Sequence, residues 1–76
     1  MFPIYVKSID SKNFFKVLNS KEFIQLKIMG SKIKKYHLIA NKYPEFVLIN
    51  DMIECNTNYY EYINEVEFQK QLDKSE

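Results

Sequence analysis

The sequence predicts a small single-domain α+β protein in which an antiparallel sheet of four to five strands is closed by a C-terminal amphipathic helix. Two observations support this fold class. Apolar and polar residues alternate with the period of a strand through much of the first half of the chain. The last part contains a stretch without glycine or proline that is rich in Glu, Gln and Lys, as helices are. A chain of 76 residues has room for one domain, so we expect residues 1–72 to be compact and residues 73–76 to fray.

The first two strands are predicted by alternation on either side of a turn. Ile4 and Val6 are separated by a polar-tipped residue and followed by lysine, which indicates a strand over residues 2–9. Asp10 begins a short segment of turn-forming residues. Residues 13–18 are again largely apolar, and we expect them to return as a second strand.

Residues 22–39 admit two interpretations, a β-hairpin and a helix. In the hairpin, apolar and polar residues alternate up to Gly30, the only glycine of the chain, which forms a tight turn. In the alternative, Asn19 caps a central helix over residues 20–33, and the fold becomes a β-grasp. A glycine within a helix costs about 1 kcal/mol relative to alanine, whereas a turn has a use for it. The sequence therefore favours the hairpin.

The rest of the chain is predicted to add a buried strand and the final helix. Residues 46–49 are four consecutive apolar residues, a run typical of a buried strand. From residue 59 to residue 72 apolar side chains recur at helical spacing, and Asn58 precedes them as the predicted N-cap. Val66 and Phe68 also alternate, which permits a last strand in this region as the alternative.

The charge of the chain is divided between its two halves. Residues 7–42 carry nine lysines against two acids, a balance of +7, and residues 43–76 carry two lysines against eight acids, a balance of −6. Such a chain can bind a polyanion, bind a second copy of itself or pair its own halves. Because it contains no arginine, it lacks the planar guanidinium group that contacts guanine bidentately. Base-specific recognition of nucleic acid is therefore disfavoured.

The first candidate binding surface combines tyrosines with carboxylates. Tyrosine provides a large contact area at a small entropic cost and is enriched in protein interfaces. This acidic tyrosine surface consists of Tyr59, Tyr60, Glu61, Tyr62 and Glu65. It predicts a contact region for another protein.

The second candidate surface is a basic patch, which consists of Lys32, Lys34, Lys35, Tyr36 and His37. In a hairpin, Lys32, Lys34 and Tyr36 share one face of the sheet, while Lys35 and His37 lie on the other. Lysines can follow a phosphate backbone while a tyrosine stacks on a base. Lysines on an edge strand also protect a sheet against aggregation, which is a purely structural role.

The sequence contains no signature of catalysis or metal binding. His37 is the only histidine and Cys55 the only cysteine, so neither a nucleophile triad nor a zinc site is indicated. The carboxylates of the second half do not have the spacing of a metal-binding loop, and no glycine-rich phosphate loop is present. We therefore expect no enzymatic activity, no cofactor and no metal.

Together these observations predict a small, non-enzymatic regulator or inhibitor that binds another protein. The heavy use of Lys, Asn, Ile, Tyr and Phe is what an AT-rich genome encodes, which suits a virus or a mobile element. The alternative is non-specific nucleic-acid binding by the lysine-rich N-terminal half, which would be weak and salt dependent. A single exposed strand edge also predicts a homodimer.

The predicted compartment is the cytoplasm, of a cell or of an infected host. The longest purely apolar run, residues 46–49, is far shorter than the roughly 20 residues that span a bilayer, so we expect no membrane contact. The single cysteine, Cys55, fits a reducing compartment.

Two resemblances bear on the function. Residues 4–9 and the apolar segment that follows Lys12 resemble the first hairpin of ubiquitin-like domains. This resemblance implies a β-grasp fold and a role in docking to other proteins.

The segment 30–40 together with residues 49–51 is similar to HNH nucleases of mobile elements. His37 and Asn50 match two positions of that family, and Asp51 stands where the family has a histidine. This second resemblance implies a minimal nuclease that has lost a base or metal ligand.

Overall fold

The structure, a computed structural model, describes residues 2–55 and 58–75. In chain order the elements of this part are β1 (Ile4–Ser8), β2 (Asn13–Asn19), β3 (Glu22–Met29), β4 (Lys32–Ile39), α1 (Tyr43–Glu54), β5 (Tyr60–Tyr62) and α2 (Glu65–Lys74). Within the described residues the strands form one antiparallel sheet of five strands in the order β4-β3-β2-β1-β5. The predicted α+β class, with its antiparallel sheet and C-terminal helix, is confirmed.

Side-chain hydrogen bonds stabilise the first two turns. Between β1 and β2 the carboxylate of Asp10 accepts hydrogen bonds from the Ser8 hydroxyl and, at 3.0 Å, from the backbone N–H of Lys12. These bonds lower the pKa of Asp10. Between β2 and β3 the side-chain oxygen of Asn19 accepts a hydrogen bond from the N–H of Lys21 at 2.8 Å. Asp10 therefore acts as the turn former that the sequence indicated, and Asn19 has the same role in the second turn.

β3 and β4 form the predicted hairpin, with Gly30 in its turn. Gly30 has a φ of +63°, a left-handed conformation that glycine adopts without the steric cost of a Cβ. Met29 faces Lys32 across the turn, which is the closing pair of a two-residue connection. The alternative of a central helix over residues 20–33, and with it the β-grasp fold, is therefore wrong.

The sheet supports a separate core on each of its faces, because successive side chains of a strand point to opposite sides. Phe14 and Phe15 are neighbours in β2, yet Phe14 lies in the core beneath α2 and Phe15 in the core beneath α1. From the helices, α1 contributes Ile49 and Met52, and α2 contributes Phe68. The sheet therefore separates two helices that are each anchored by buried side chains.

The predicted buried strand at residues 46–49 is wrong, because this segment lies in α1. Two local signals start the helix. Pro44 stands in the first turn, where its missing N–H is not needed, and Glu45 accepts hydrogen bonds from the N–H groups of Asn41 and Lys42 at 3.0 and 3.1 Å. A short apolar run looks the same in a buried strand and in a helix, so alternation could not separate the two.

The C-terminal helix starts later than predicted. Asn58 was the predicted N-cap, but the residues that follow it form β5, which pairs with β1. The helix begins at Glu65, and the side-chain oxygen of Asn64 caps it by accepting a hydrogen bond from the N–H of Glu67 at 2.8 Å. The tyrosines of β5 are good strand residues, and pairing with β1 outweighs the helical spacing.

α2 also settles the last alternative for this region. Val66 and Phe68 both belong to the helix, so the last strand considered at these positions is wrong. The helix continues to Lys74, beyond the predicted boundary at residue 72, and the fraying of residues 73–76 stays a prediction. In the part of the chain that the structure describes, neither α1 nor α2 is long and apolar enough to cross a membrane.

Candidate protein-binding surface

The acidic tyrosine surface lies on and beside β5, at one edge of the sheet. Tyr60 points to the α1 side, where its ring meets that of Phe15 edge-on with the ring centroids 5.8 Å apart. Burial raises the pKa of Tyr60, and the charge of Asp51 adds to this rise. Tyr60 therefore supports the surface from the core side.

Tyr59 and Tyr62 are the exposed tyrosines of this surface. The hydroxyl of Tyr62 donates a hydrogen bond of 3.0 Å to the backbone carbonyl of Ile53 near the end of α1, which fixes the ring against that helix. Glu61 lies on the opposite face of β5, where its Oε2 is 3.9 Å from the Nζ of Lys7. Such an exposed pair adds little stability. Glu65 is exposed in the first turn of α2, so the five predicted residues do not all share one face.

The end of α1 lies against the backbone edge of β5 at Tyr62. Glu61 is the residue of β5 whose backbone faces β1, so the backbone groups of Tyr60 and Tyr62 point away from the sheet. Burial raises the pKa of the Cys55 thiol, and a hydrogen bond from the N–H of Tyr62 partly opposes that rise. Cys55 thus takes up one outward backbone N–H of this three-residue edge.

An apolar feature that the sequence analysis missed lies on the outer side of α1. Tyr43 is 80% exposed, Phe46 37%, Val47 41% and Leu48 38%. We call these four residues the α1 outer face. The inner side of the same helix is buried in the core. A helix that is apolar on both sides normally has a second surface to cover it.

A groove of about 540 Å³ lies between α1 and the turn that joins β2 to β3. The helix lines it with Tyr43, Phe46, Val47, Asn50 and Ile53, and the turn lines it with Ser20 and Lys21. Side chains at spacings of three and four residues lie next to each other on a helix, so the helical residues form one continuous wall that is apolar except at Asn50. Apolar anchor residues of a protein partner typically occupy such grooves.

Helix geometry provides the signal that would have revealed the α1 outer face. Successive residues of an α-helix are separated by about 100°, so four consecutive apolar residues spread over roughly 300°. Residues 46–49 therefore cannot all face one core, and of these four only Ile49 is buried. A helix that starts at Pro44 therefore implies that some of these apolar residues are exposed.

The charges near the α1 outer face are mainly acidic. The helix carries three acids and no lysine between Tyr43 and Glu54. A depression of about 720 Å³ beside the second half of α1 brings the carboxylates of Asp10 and Asp51 together with Tyr59. Carboxylates placed next to an aromatic ring favour a cationic side chain. An apolar segment with basic residues would therefore complement this region.

The basic patch is divided between two faces of the sheet, as predicted. Lys32, Lys34 and Tyr36 lie on the α1 side and are exposed. Lys27, which the sequence analysis did not include, faces Lys34 across the hairpin and is also exposed. The register of β3 and β4 therefore assembles three lysines and one tyrosine on one face.

On the α2 side of β4, His37 is held by Glu22. The Nε2 atom of His37 and the Oε2 atom of Glu22 are in direct contact between neighbouring strands. Asn50, the other residue on which the similarity to HNH nucleases depends, lies on α1. Within residues 2–55 and 58–75, no three His, Cys, Asp or Glu side chains are grouped closely enough to hold a metal ion.

The two charged halves of the chain are hardly paired with each other. Among the described residues, Lys7 and Glu61 are the one lysine and carboxylate in direct contact, and they are only partly shielded from water. Most of the positive and negative charge therefore remains available to a partner, and the fold does not neutralise it by direct pairing.

Comparison with known proteins assigns no family. No protein-family model matches the chain, and no curated protein or solved structure has significant similarity to it. We therefore argue the function from its surfaces, among which the α1 outer face and the acidic tyrosine surface have the chemistry of a protein interface.

Proposed function

We propose that this protein binds another protein through α1 and β5 and acts as a small regulator or inhibitor. The observation that carries the proposal is the α1 outer face, where Tyr43, Phe46, Val47 and Leu48 are exposed on a helix whose other side is buried. We place its action in the cytoplasm of a cell or infected host, since the single Cys55 has no second cysteine for a disulfide.

The exposed part of the α1 outer face would be removed from water only in a complex. Burying apolar surface contributes about 25 cal/mol per Å², and a single exposed apolar residue needs no explanation. Here Tyr43, Phe46 and Val47 line one groove together, and Leu48 is a further exposed apolar residue of the same helix. Adjacent exposed apolar side chains of this kind mark interfaces, because polar helix formers would serve an exposed helix equally well.

The surroundings specify the chemistry of the partner. Asp51 lies beside the Tyr59 depression, and Glu54 lies at the end of α1. We propose a partner that presents apolar side chains to the groove and lysine or arginine to these carboxylates. The apolar contacts would provide most of the affinity, and the charges would mainly accelerate association.

Site-specific cross-linking tests this proposal. A photo-reactive phenylalanine derivative replaces Tyr43 in the chain expressed in its native host, and the matched control carries it at Lys34 on the basic patch. We expect a discrete protein adduct from position 43 that the double substitution Val47→Gln, Leu48→Gln removes. No adduct at position 43, the same adducts from both positions, or an adduct that persists in the double variant would contradict the proposal.

The captured protein then allows a quantitative test by titration calorimetry. We expect Val47→Gln with Leu48→Gln to weaken binding by at least tenfold, because two exposed apolar side chains are lost from α1. Asp51→Asn with Glu54→Gln should slow association and reduce its salt dependence. Equal affinity of wild type and the Val47, Leu48 variant would exclude α1 as the binding face.

A specific observation also favours the second candidate function, non-specific nucleic-acid binding. Lys27, Lys32, Lys34 and Tyr36 share one exposed face of the hairpin, where lysines can contact phosphates and the tyrosine can stack on a base. Fluorescence anisotropy with single-stranded DNA at two salt concentrations tests it. Binding at low salt that Lys27→Gln with Lys34→Gln weakens would support this function, and no binding at low salt would exclude it.

A further inference from the structure

The outer edge of β4 is longer than the outer edge of β5, since β4 has eight residues and β5 has three. The backbone N–H of Ala40 donates to the carbonyl of Lys21 at 2.7 Å, which fixes the hydrogen-bonding alternation along β4. Even-numbered residues of β4 therefore bond to β3, and the backbone groups of the odd-numbered residues point outward. The outward residues are Ile33, Lys35, His37 and Ile39. Within the described residues no strand pairs with this edge.

We propose that two copies of the chain associate by antiparallel pairing of their β4 edges, with Tyr36 on the two-fold axis. The occupant of this edge is thus a second copy, and the product is one continuous sheet across both copies. This interface is separate from α1 and β5, so it does not depend on the proposed protein-binding function.

Backbone geometry and charge restrict where the axis can lie. Outward groups of one copy must meet outward groups of the other, so odd-numbered residues face odd-numbered residues. An axis at Lys34 or Lys35 would place that lysine directly opposite itself, and like charges directly opposite each other destabilise a sheet. An axis at His37 would limit the pairing to residues 35–39 of β4. An axis at Tyr36 pairs residues 33–39 and opposes no lysine to a lysine.

The facing side chains at this register are complementary. On the α2 side Ile33 of one copy faces Ile39 of the other, and Ile39 is 56% exposed in the single chain. On the α1 side Tyr36 faces its own counterpart at the closely spaced position of the ladder, which suits an aromatic pair. Lys34 faces Leu38, so the lysine stem covers an apolar side chain. Each contact repeats by symmetry, as an isologous interface requires.

The pairing of Lys35 with His37 at this register is also favourable. Lys35 of one copy faces His37 of the other, and His37 is in contact with the carboxylate of Glu22. The Lys35 ammonium therefore lies beside a carboxylate instead of a second ammonium group. The lysines of β4 penalise the registers centred on Lys34 and Lys35, which makes them register-setting residues as well as protection against aggregation.

Disulfide trapping tests both the dimer and its register. In the variant Tyr36→Cys the two new thiols face each other across the axis, and mild oxidation should link most of the protein as a dimer. In the control Lys34→Cys, on the same face, each thiol faces Leu38 and lies about 14 Å along the strand from its counterpart, given a rise of about 3.4 Å per residue. Cys55 is buried in both variants, and wild type controls for its reactivity.

The expected result is a disulfide dimer for Tyr36→Cys at least tenfold in excess of that for Lys34→Cys, with unchanged far-UV circular dichroism. Sedimentation equilibrium of the unmodified chain should show a concentration-dependent dimer that Lys35→Pro weakens at least tenfold. Proline at position 35 removes only an outward N–H and leaves the bonds to β3 intact. Equal cross-linking at positions 34 and 36, or a wild-type monomer at every concentration up to the solubility limit, would overturn the proposal.

Discussion

α1 and α2 cover opposite faces of the same sheet, but their outer sides differ. Each helix anchors itself with buried apolar side chains, Ile49 and Met52 in α1 and Phe68 in α2. The exposed side of α2 is mostly polar and charged, as in an ordinary amphipathic helix, and Val66 is its exposed large apolar residue. The exposed side of α1 is the apolar α1 outer face. Since anchoring requires only the inner side, the difference indicates that α1 has a second use.

The largest expected effect concerns the buried anchor residues, which both helices have. Truncating Phe68→Ala should destabilise the fold by about 3–5 kcal/mol and Ile49→Ala by about 2–5 kcal/mol, because each side chain is buried in its own core. Urea denaturation followed by circular dichroism measures both losses. A loss below about 1 kcal/mol for either variant would mean that the corresponding helix is not anchored by that residue.

The next prediction concerns the outer sides of the two helices, which differ. The double substitution Val47→Gln, Leu48→Gln on the α1 outer face should change the free energy of unfolding by less than about 1 kcal/mol, because both side chains already contact water. The matched control Gln69→Ala on the outer side of α2 should also be nearly neutral. A loss of more than about 2 kcal/mol in the α1 variant would show that its outer face stabilises the monomer, and the proposed interface would lose its main argument.

The caps of the two helices permit a similar comparison, with smaller expected losses of stability. Asn64→Ala removes the side-chain acceptor of α2 and should cost about 1 kcal/mol. Glu45→Ala removes the carboxylate that accepts two backbone N–H groups before α1 and should cost about the same. Thermal unfolding of the two variants gives the values. A neutral Glu45→Ala would mean that Pro44 and core packing suffice to start α1.

The sequence allowed the sheet to be predicted where its signals are local. The turn at Asp10 and the hairpin at Gly30 depend on the conformational preferences of one or two residues, and the alternation between them sets the faces. The identity of α1 could not be read from alternation, because an apolar run satisfies both a strand and a helix. β5 could not be predicted either, because it becomes a strand through pairing with β1, which is far away in sequence.

The candidate site was predicted only in part, for the same reason. The division of the basic patch between two faces follows from strand alternation, and Lys27 joins it only once the hairpin register is known. The spacing of Tyr59, Tyr60 and Tyr62 gave no indication of which ring is buried, because that depends on where the second half of α1 lies. The α1 outer face was not predicted, because the four apolar residues 46–49 were expected to be buried together.

The smallest expected effect tests how firmly Tyr60 of β5 packs in the core beneath α1. Its pKa in the folded state is raised above the ordinary value of 10.0, first by burial and then by the charge of Asp51. A raised folded pKa means that the contribution of this group is fully present below about pH 10 and is lost as the pH rises through the folded pKa, because the unfolded state ionises first. The stability of wild type should therefore fall more steeply above pH 10 than that of Tyr60→Phe.

Other groups titrate in the same range, so the informative quantity is the difference between variants. Asp51→Asn should reduce the wild-type slope only partly, since burial is the larger cause. Urea midpoints between pH 8 and pH 11 provide the measurement. Identical slopes for wild type and Tyr60→Phe would mean that water reaches the Tyr60 hydroxyl freely. The acidic tyrosine surface would then move independently of α1, and the two could not act as one rigid binding surface.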